Sequence, residues 1–513
     1  MQTPAELWRF QRGAVDSYDK MHAASTAADN SVFLAGWSSG DWNGTSNGRF
    51  DFSAMKLDSN GSLLWAWQDG STSYDYILAM AAVTDGGVVM AGYTSGDWGA
   101  ASQGLRDFAT VKLDSAGKVL WRRQTGTDDY DVLTACVETT DGNVVVAGYS
   151  LGSVNGIENE KGYDIVAMKL DVTTGEDIWI YQAGTTVGNG SVRAWAAASR
   201  ADGSVVLAGH SYGTFATVFP NKDIYGDFAA VAIDENGQEI WRWQDGPASA
   251  HSCFWACTAL DDGSVILAGY TDGNWSGQNQ GWEDFAIVKL NGSGLEEWRW
   301  QGGTDENDEW NDVATSAEGS IVLAGYTYGN WTRSQSKREG RVVGDFAAMA
   351  MTEDGVQLWS YQNGTDGDDE FRAVAIRPDG NIIMAGSTDG NWTTSENVDD
   401  GFQYAVVLFD GSVLGTPAPS SGAAMAPTPA PDATQGSSEH IRTSSSSTST
   451  LGVIVGSVVG GAAVLVILGV LVTMVCRRSR RNLDSGKVRS SSAALSQTFP
   501  RAIPPVDGAA PPL

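Results

Sequence analysis

An apolar run that closes on Ala-Gly returns seven times along this chain, with its glycine at Gly36, Gly92, Gly148, Gly209, Gly269, Gly325 and Gly386. The step is 56 to 61 residues. Between these runs a longer phrase recurs, as DFSAMKLDSNGSLLWAWQDG from Asp51, DFATVKLDSAGKVLWRRQTG from Asp107 and DIVAMKLDVTTGEDIWIYQAG from Asp164. It returns as DFAAVAIDENGQEIWRWQDG from Asp227, DFAIVKLNGSGLEEWRWQGG from Asp284 and DFAAMAMTEDGVQLWSYQNG from Asp345. Self-similarity at such a period restricts a chain to repeat architectures, in which one supersecondary unit stacks on copies of itself.

Each unit holds four short segments rich in Val, Ile, Phe and Trp, bounded by Gly, Asp, Asn and Ser, which is the signature of strands. The first and second are joined by Asp-Gly or Glu-Gly turns, and the third and fourth by turns such as DSNGS and DENGQ, all tight hairpin chemistry. No stretch of the repeat sustains a 3.6-residue period, so a helical solenoid is excluded. Four antiparallel strands repeated radially predict an all-β fold, a β-propeller.

The Ala-Gly phrase occurs seven times but the complete longer phrase only six. Phe402–Asp410 reads as a third strand with no fourth after it, and Leu7–Gly13 (LWRFQRG) as a fourth strand with nothing before it. Pairing them makes the N-terminal strand the outer strand of a seventh blade and leaves the ring without an open end. The expectation is therefore a seven-bladed propeller over residues 1–410. Its recurrent pattern DFxxxKLDxxGxxxWxxxxGxxxDD…DGxxxxAGYT resembles the seven-bladed propeller repeat called SBBP, except that Gly-Asp-Trp or Gly-Asn-Trp stands where that family has Asp-Phe-Pro. The resemblance implies the fold and no single activity.

Beyond Asp410 the composition changes. Residues 411–450 are rich in Pro, Ser and Thr, cannot form a core, and read as an extended stalk, O-glycosylated or plain linker. Leu451–Cys476 is uncharged and long enough to cross a bilayer as one helix. Arg477, Arg478, Arg480 and Arg481 follow at once, which predicts a cytoplasmic tail over 477–513 and an external propeller. Gly452, Gly456 and Gly460 form overlapping GxxxG motifs suited to a homodimer contact, and Cys476 is placed for palmitoylation. The tail is too short for a catalytic domain and is expected to be disordered. Met1–Glu6 is too short and polar for a signal peptide; the expectation is that the chain starts at an internal Met, the alternative being insertion by the downstream apolar segment. A net charge of −30 repels phosphate backbones and argues against nucleic-acid binding.

Because strand direction alternates, the tight hairpins share one face of the ring. The long second-to-third-strand loops and the blade-to-blade connections share the other, where binding residues usually lie. Two residue classes gather on that loop face. Trp42, Trp98, Trp275, Trp331 and Trp392 each follow Gly-Asp or Gly-Asn, and are either sugar-stacking platforms or wedges between blades. Asp128, Asp129 and Asp131, then Asp305, Glu306, Asp308 and Glu309, then Asp366, Asp368, Asp369 and Glu370 form acidic runs. Those runs are either calcium ligands, though without EF-hand spacing, or a solvated rim. Asn43, Asn60, Asn189, Asn274, Asn291, Asn330, Asn363 and Asn391 begin glycosylation sequons.

Cys136 and Cys257 sit at equivalent points of units two apart, too distant to bridge, and Cys253 lies along the same strand as Cys257. Only His22, His210, His251 and His440 are present, and no metal-ligand or nucleophile motif is visible. The chain thus reads as a single-pass cell-surface protein whose propeller head binds an extracellular glycan, matrix or protein ligand. The alternative is a tethered enzyme. AIDENGQEIWRWQDG and KLDVTTGEDIWIYQAG resemble the tryptophan-docking repeats of quinoprotein dehydrogenases, which implies a quinone cofactor and calcium, and a paired-carboxylate lyase or hydrolase is the other form.

Overall fold

Seven antiparallel four-stranded sheets follow one another along the chain. The computed structural model describes residues 3–414, except 15–16, 160–161, 186, 217–224, 333–336, 339–340 and 393–400, together with Thr428 and Pro429. Blade one runs outward from Asp19–Thr26 through Val32–Ser38 and Asp51–Leu57 to Leu63–Asp69. The innermost strands meet in cyclic order, with Asp369–Ile376 of blade seven against Asp19–Thr26 of blade one. Glu6–Arg12 pairs antiparallel with Gln403–Phe409 as the outer strand of blade seven, so the first and last strands of the ring lie in one sheet. This is a seven-bladed β-propeller. Thr428–Pro429 adds a short strand to the outer edge of blade five.

Second and third strands are buried along their whole length in blades one and two, and nearly so in blades four and five, because both faces of each blade pack on a neighbour. They therefore read as continuous apolar runs rather than alternating ones. Each core cluster joins two blades: Phe285 and Ile287 of blade five share one with Leu323 and Met349 of blade six. The Phe285 and Trp310 rings stack there at 3.8 Å. Burial of each such side chain contributes about 2 kcal/mol.

The repeated Ala-Gly has a steric cause. A Cβ on Gly36 would lie 2.0 Å from the carbonyl oxygen of Lys20, and one on Gly325 would lie 1.9 Å from that of Glu309. In both places the innermost strand presses its backbone against the second strand just before a β-bulge, between Met21 and Ala23 in blade one and between Trp310 and Asp312 in blade six. A bulge re-aims the side chain it carries. The same shift occurs in all seven blades.

Among the described residues no helix is long and apolar enough to cross a membrane. The segment Leu451–Cys476, most of the stalk, the tail, His440, Cys476 and the GxxxG glycines lie outside the described residues.

Candidate functional site at the channel mouth

The five loop tryptophans are placed between blades. Trp42 packs on Tyr404, Trp98 on Phe52, Trp275 on Phe228, Trp331 on Phe285 and Trp392 on Phe346, each on the third strand of the preceding blade. Trp42, Trp98 and Trp392 are buried, and Trp275 also donates to Asp245. Blades three and four hold Val154 and Phe215 at the equivalent place, both buried. An apolar wedge is what all seven units share.

The acidic runs are split at the bend from loop to strand. Asp128, Asp305 and Asp366 are exposed, while Asp131, Asp308 and Asp369 open the innermost strands and are fully buried. Their carboxylates accept the backbone N–H and hydroxyl of Thr127, Thr304 and Thr365. Asp129 and Asp368 lie half-buried beside them. Among the described residues no three His, Cys, Asp or Glu are placed to hold a metal ion. A shallow pocket of ≈ 500 Å³ between blades two and three includes Asp128 and Asp129 but no other ionisable group.

Asn43, Asn274, Asn330 and Asn391 are exposed in the long loops, Asn43 directly after its wedge tryptophan and the other three directly before theirs. Asn60 and Asn291 belong to hairpins of the opposite face, Asn363 ends the outer strand of blade six, and Asn189 lies in the innermost strand of blade four. Cys253 and Cys257 lie along one strand as expected, and Cys136, Cys253 and Cys257 are all free thiols.

A site the sequence reading passed over lies at the inner edges of the blades. Just before each bulge the innermost strands carry Lys20, Tyr76, Val132, Arg193, Cys253, Glu309 and Glu370, and at the bulge His22, Leu78, Thr134, Trp195, Trp255, Asn311 and Arg372. The repeat is broken at these points. From blade one to blade five the set includes the rings of His22, Tyr76, Trp195 and Trp255. Trp37 donates to His22 at 3.1 Å and packs edge-on to Phe50 and Tyr76, and the Arg193 guanidinium lies over Tyr149 and Tyr163.

From blade five to blade one the set is charged. Arg372 donates two hydrogen bonds to Glu370, at 2.9 and 2.6 Å, and Lys20 reaches the same carboxylate at 3.8 Å. Burial acts to raise the Glu370 carboxyl, but Arg372 and Lys20 hold it down to about 2. Glu309, buried on the next blade, accepts from Tyr326, and the Glu283 carboxyl lies beside it. Burial, followed by the nearby Glu309, pushes Glu283 up to about 9. Burial keeps the His22 ring neutral, at about 3, assisted by Arg372 and Lys20. Trp282, next to Glu283, is 67% exposed. The mouth thus combines an aromatic wall on which the Arg193 guanidinium lies, an ion cluster centred on Glu370 and a neighbouring pair of buried carboxyl groups, an arrangement that suits a ligand rich in hydroxyl groups.

No family model and no curated protein matches the chain. Solved structures resemble it at the level of fold. A catalytically inactive virginiamycin B lyase from Staphylococcus aureus aligns with TM-score 0.43 and 10% identity, covering 78% of this chain and 98% of the lyase. The Pan2 WD40 domain of Neurospora crassa aligns at 0.44 and 8%, covering 79% and 94%. The PQQ-bound aldose sugar dehydrogenase of Streptomyces coelicolor aligns at 0.35 and 10%, covering 68% and 100%. Likeness of this degree concerns the ring and not the residues of any site.

Proposed function

We propose that the chain is the propeller head of a membrane-anchored surface protein and that the loop-face mouth of its channel binds an extracellular glycan. The observation that carries this reading is the broken symmetry around the axis. Packing alone repeats, as the wedge tryptophans do, whereas the residues at the seven bulges differ in charge, size and polarity. Trp282 supplies an exposed ring for stacking on a sugar face, and the Glu283–Glu309 pair supplies acceptors and a proton donor for its hydroxyls. Anchorage rests on the uncharged Leu451–Cys476 segment followed by arginines. The test is binding of the full-length, detergent-solubilised chain to a glycan array, repeated with Trp282→Ala. Array hits weakened by that substitution support the reading, and a blank array removes it.

The neighbouring buried carboxyl groups of Glu283 and Glu309 favour a second reading, a carboxylate-based hydrolase or lyase, because a pair of acids in a cleft is the usual equipment of acid–base catalysis. Incubating any array hit with the protein and looking for new reducing ends or unsaturated products decides between binding and turnover.

A further inference from the structure

Blade four departs from its neighbours beside the channel. Its two innermost strands, Val187–Ser199 and Val205–Thr214, are longer than those of any other blade. The residue before its third strand is Gly226, where blades one, two, three, five and seven carry Phe50, Arg106, Tyr163, Glu283 and Phe402. His210 stands where four other blades place a tyrosine.

The indole Nε1 of Trp195 donates to Nδ1 of His210 at 3.0 Å. An indole nitrogen only donates, so Nδ1 is the acceptor and the proton of the neutral ring sits on Nε2. His210 is 7% exposed, and its Nε2 has no partner in the protein. The buried Nε1 of Trp255 has none either. The two belong to one patch: Trp195 lies 6.0 Å from the His210 ring and 4.8 Å from the Trp255 ring, and the Cys253 thiol is 3.3 Å from His210 Nδ1. Buried donors in folded proteins are mostly paired. The indoles of Trp42, Trp98, Trp310, Trp359 and Trp392 are unpaired as well, but they belong to the core clusters between blades, whereas His210 Nε2 and Trp255 Nε1 share one wall at the inner edges of the blades.

The surroundings select the kind of acceptor. Glu309 and Glu283 act on the adjacent Cys253 thiol, and Arg193 acts both on that thiol and on the His210 ring. Charges of both signs therefore face the patch, which leaves a neutral carbonyl oxygen as the acceptor that neither repels. The rings of Trp195 and Trp255 offer an apolar surface beside the donors.

We propose that this wall is the subsite for the acetamido group of an N-acetylated sugar. The carbonyl oxygen accepts from His210 Nε2 and Trp255 Nε1, and the methyl group lies against the tryptophan rings. This rests on the glycan reading above and narrows it to one sugar class.

The test uses the full-length chain in detergent and calorimetric titration with three disaccharides: N,N′-diacetylchitobiose, its de-acetylated counterpart and cellobiose. The expected result is a preference for the acetylated sugar of roughly tenfold, the scale of one net hydrogen bond. Trp255→Phe keeps the ring and removes the donor, so it should abolish most of that preference and leave cellobiose binding unchanged. His210→Phe should act in the same direction, and where it fails to fold Trp255→Phe decides alone. Equal binding of all three sugars overturns the subsite while sparing the glycan reading. A preference that survives Trp255→Phe overturns it too, and leaves water as the partner of these donors. A blank glycan array overturns both.

Discussion

Gln244 Nε2 donates to Asp227 Oδ2 at 2.9 Å, tying the outer strand of blade four to the start of its third strand. The same nitrogen donates to the Gly213 carbonyl at 2.8 Å, and Oε1 accepts the N–H groups of Phe215 and Ala216. One buried amide therefore fills all its bonds and fixes the loop that carries the wedge residue. Gln68, Gln124, Gln182, Gln301 and Gln362 repeat the bond to an aspartate at 2.7 to 3.0 Å. In blade seven Gln11 meets Gln403 instead. Gln244→Ala should cost about 2–3 kcal/mol, since it strands the buried Asp227 carboxylate and two backbone donors. Gln244→Glu should cost more at pH 8 than at pH 5, because it sets a second carboxylate against Asp227. Urea denaturation at the two pH values checks both.

A second prediction concerns how blades dock. The outer-strand tryptophan of one blade reaches the hairpin of the next, as Trp179 donates to the Glu235 carbonyl at 2.9 Å. Its ring lies over Gly237, whose φ is +83° and where a Cβ would come within 3.0 Å of the indole. Gly237→Ala thus meets backbone strain and a clash together and should cost roughly 2–3 kcal/mol. Trp179→Phe, which retains the ring and loses the N–H, should cost about 1 kcal/mol. Thermal denaturation of the two variants should preserve that order, and equal losses would show that the glycine serves the turn alone.

The buried acids make stability depend on pH with a definite sign. Burial raises Asp75 to about 6 and Asp308, Asp312 and Asp369 to about 7, and Glu283 stands at about 9. In this range the folded chain holds protons that the unfolded chain has released, so stability falls as pH rises from about 5 through 7 and on toward 9. Below that range it falls again as Glu370, held low by Arg372 and Lys20 against the cost of burial, takes up its proton. The midpoint of denaturation should therefore peak in mildly acid solution. Glu283→Gln keeps a donor for Glu309 without a titrating proton. It should flatten the profile between pH 7 and 9 and add at least about 1 kcal/mol at pH 9.

The period, the hairpin turns and the mismatch between the two ends of the repeat were enough to read seven blades and their closure. The channel site was not readable in the same way, because it is made of the positions that do not repeat. Lys20 and Glu370 stand at opposite ends of the ring in sequence and meet only because it closes. His22, Leu78, Thr134, Trp195, Trp255, Asn311 and Arg372 share a place set by a bulge, which leaves no motif of its own. The signal that could have found them is the Ala-Gly glycine. Aligned on it, the column just before each bulge holds seven different side-chain environments beside columns that are nearly constant. The loop tryptophans were ambiguous for the opposite reason, since a platform and a wedge both recur. Val154 and Phe215 at the same place point to the wedge.

Ring closure itself can be tested, because the N-terminal strand carries the same latch as the outer strands of blades one to five. Trp8 donates to the Ser59 carbonyl of blade one at 3.3 Å and lies over Gly61, just as Trp65 donates to Ser115 at 3.0 Å. Arg9 Nη1 and Gln11 Nε2 donate to the carbonyls of Trp392 and Gly390, so the strand is held from three sides. Without residues 1–13 the strand Gln403–Phe409 (QYAVVLF) becomes a free, flat and apolar edge, the kind that pairs with another chain. A chain beginning at Ala14 should associate through that edge, and its early elution in size-exclusion chromatography should revert when a peptide of residues 1–13 is added back. If the shortened chain stays unassociated and keeps its denaturation midpoint, the seventh blade is stable with three strands. The N-terminal strand would then be an accessory to the ring and not its closure.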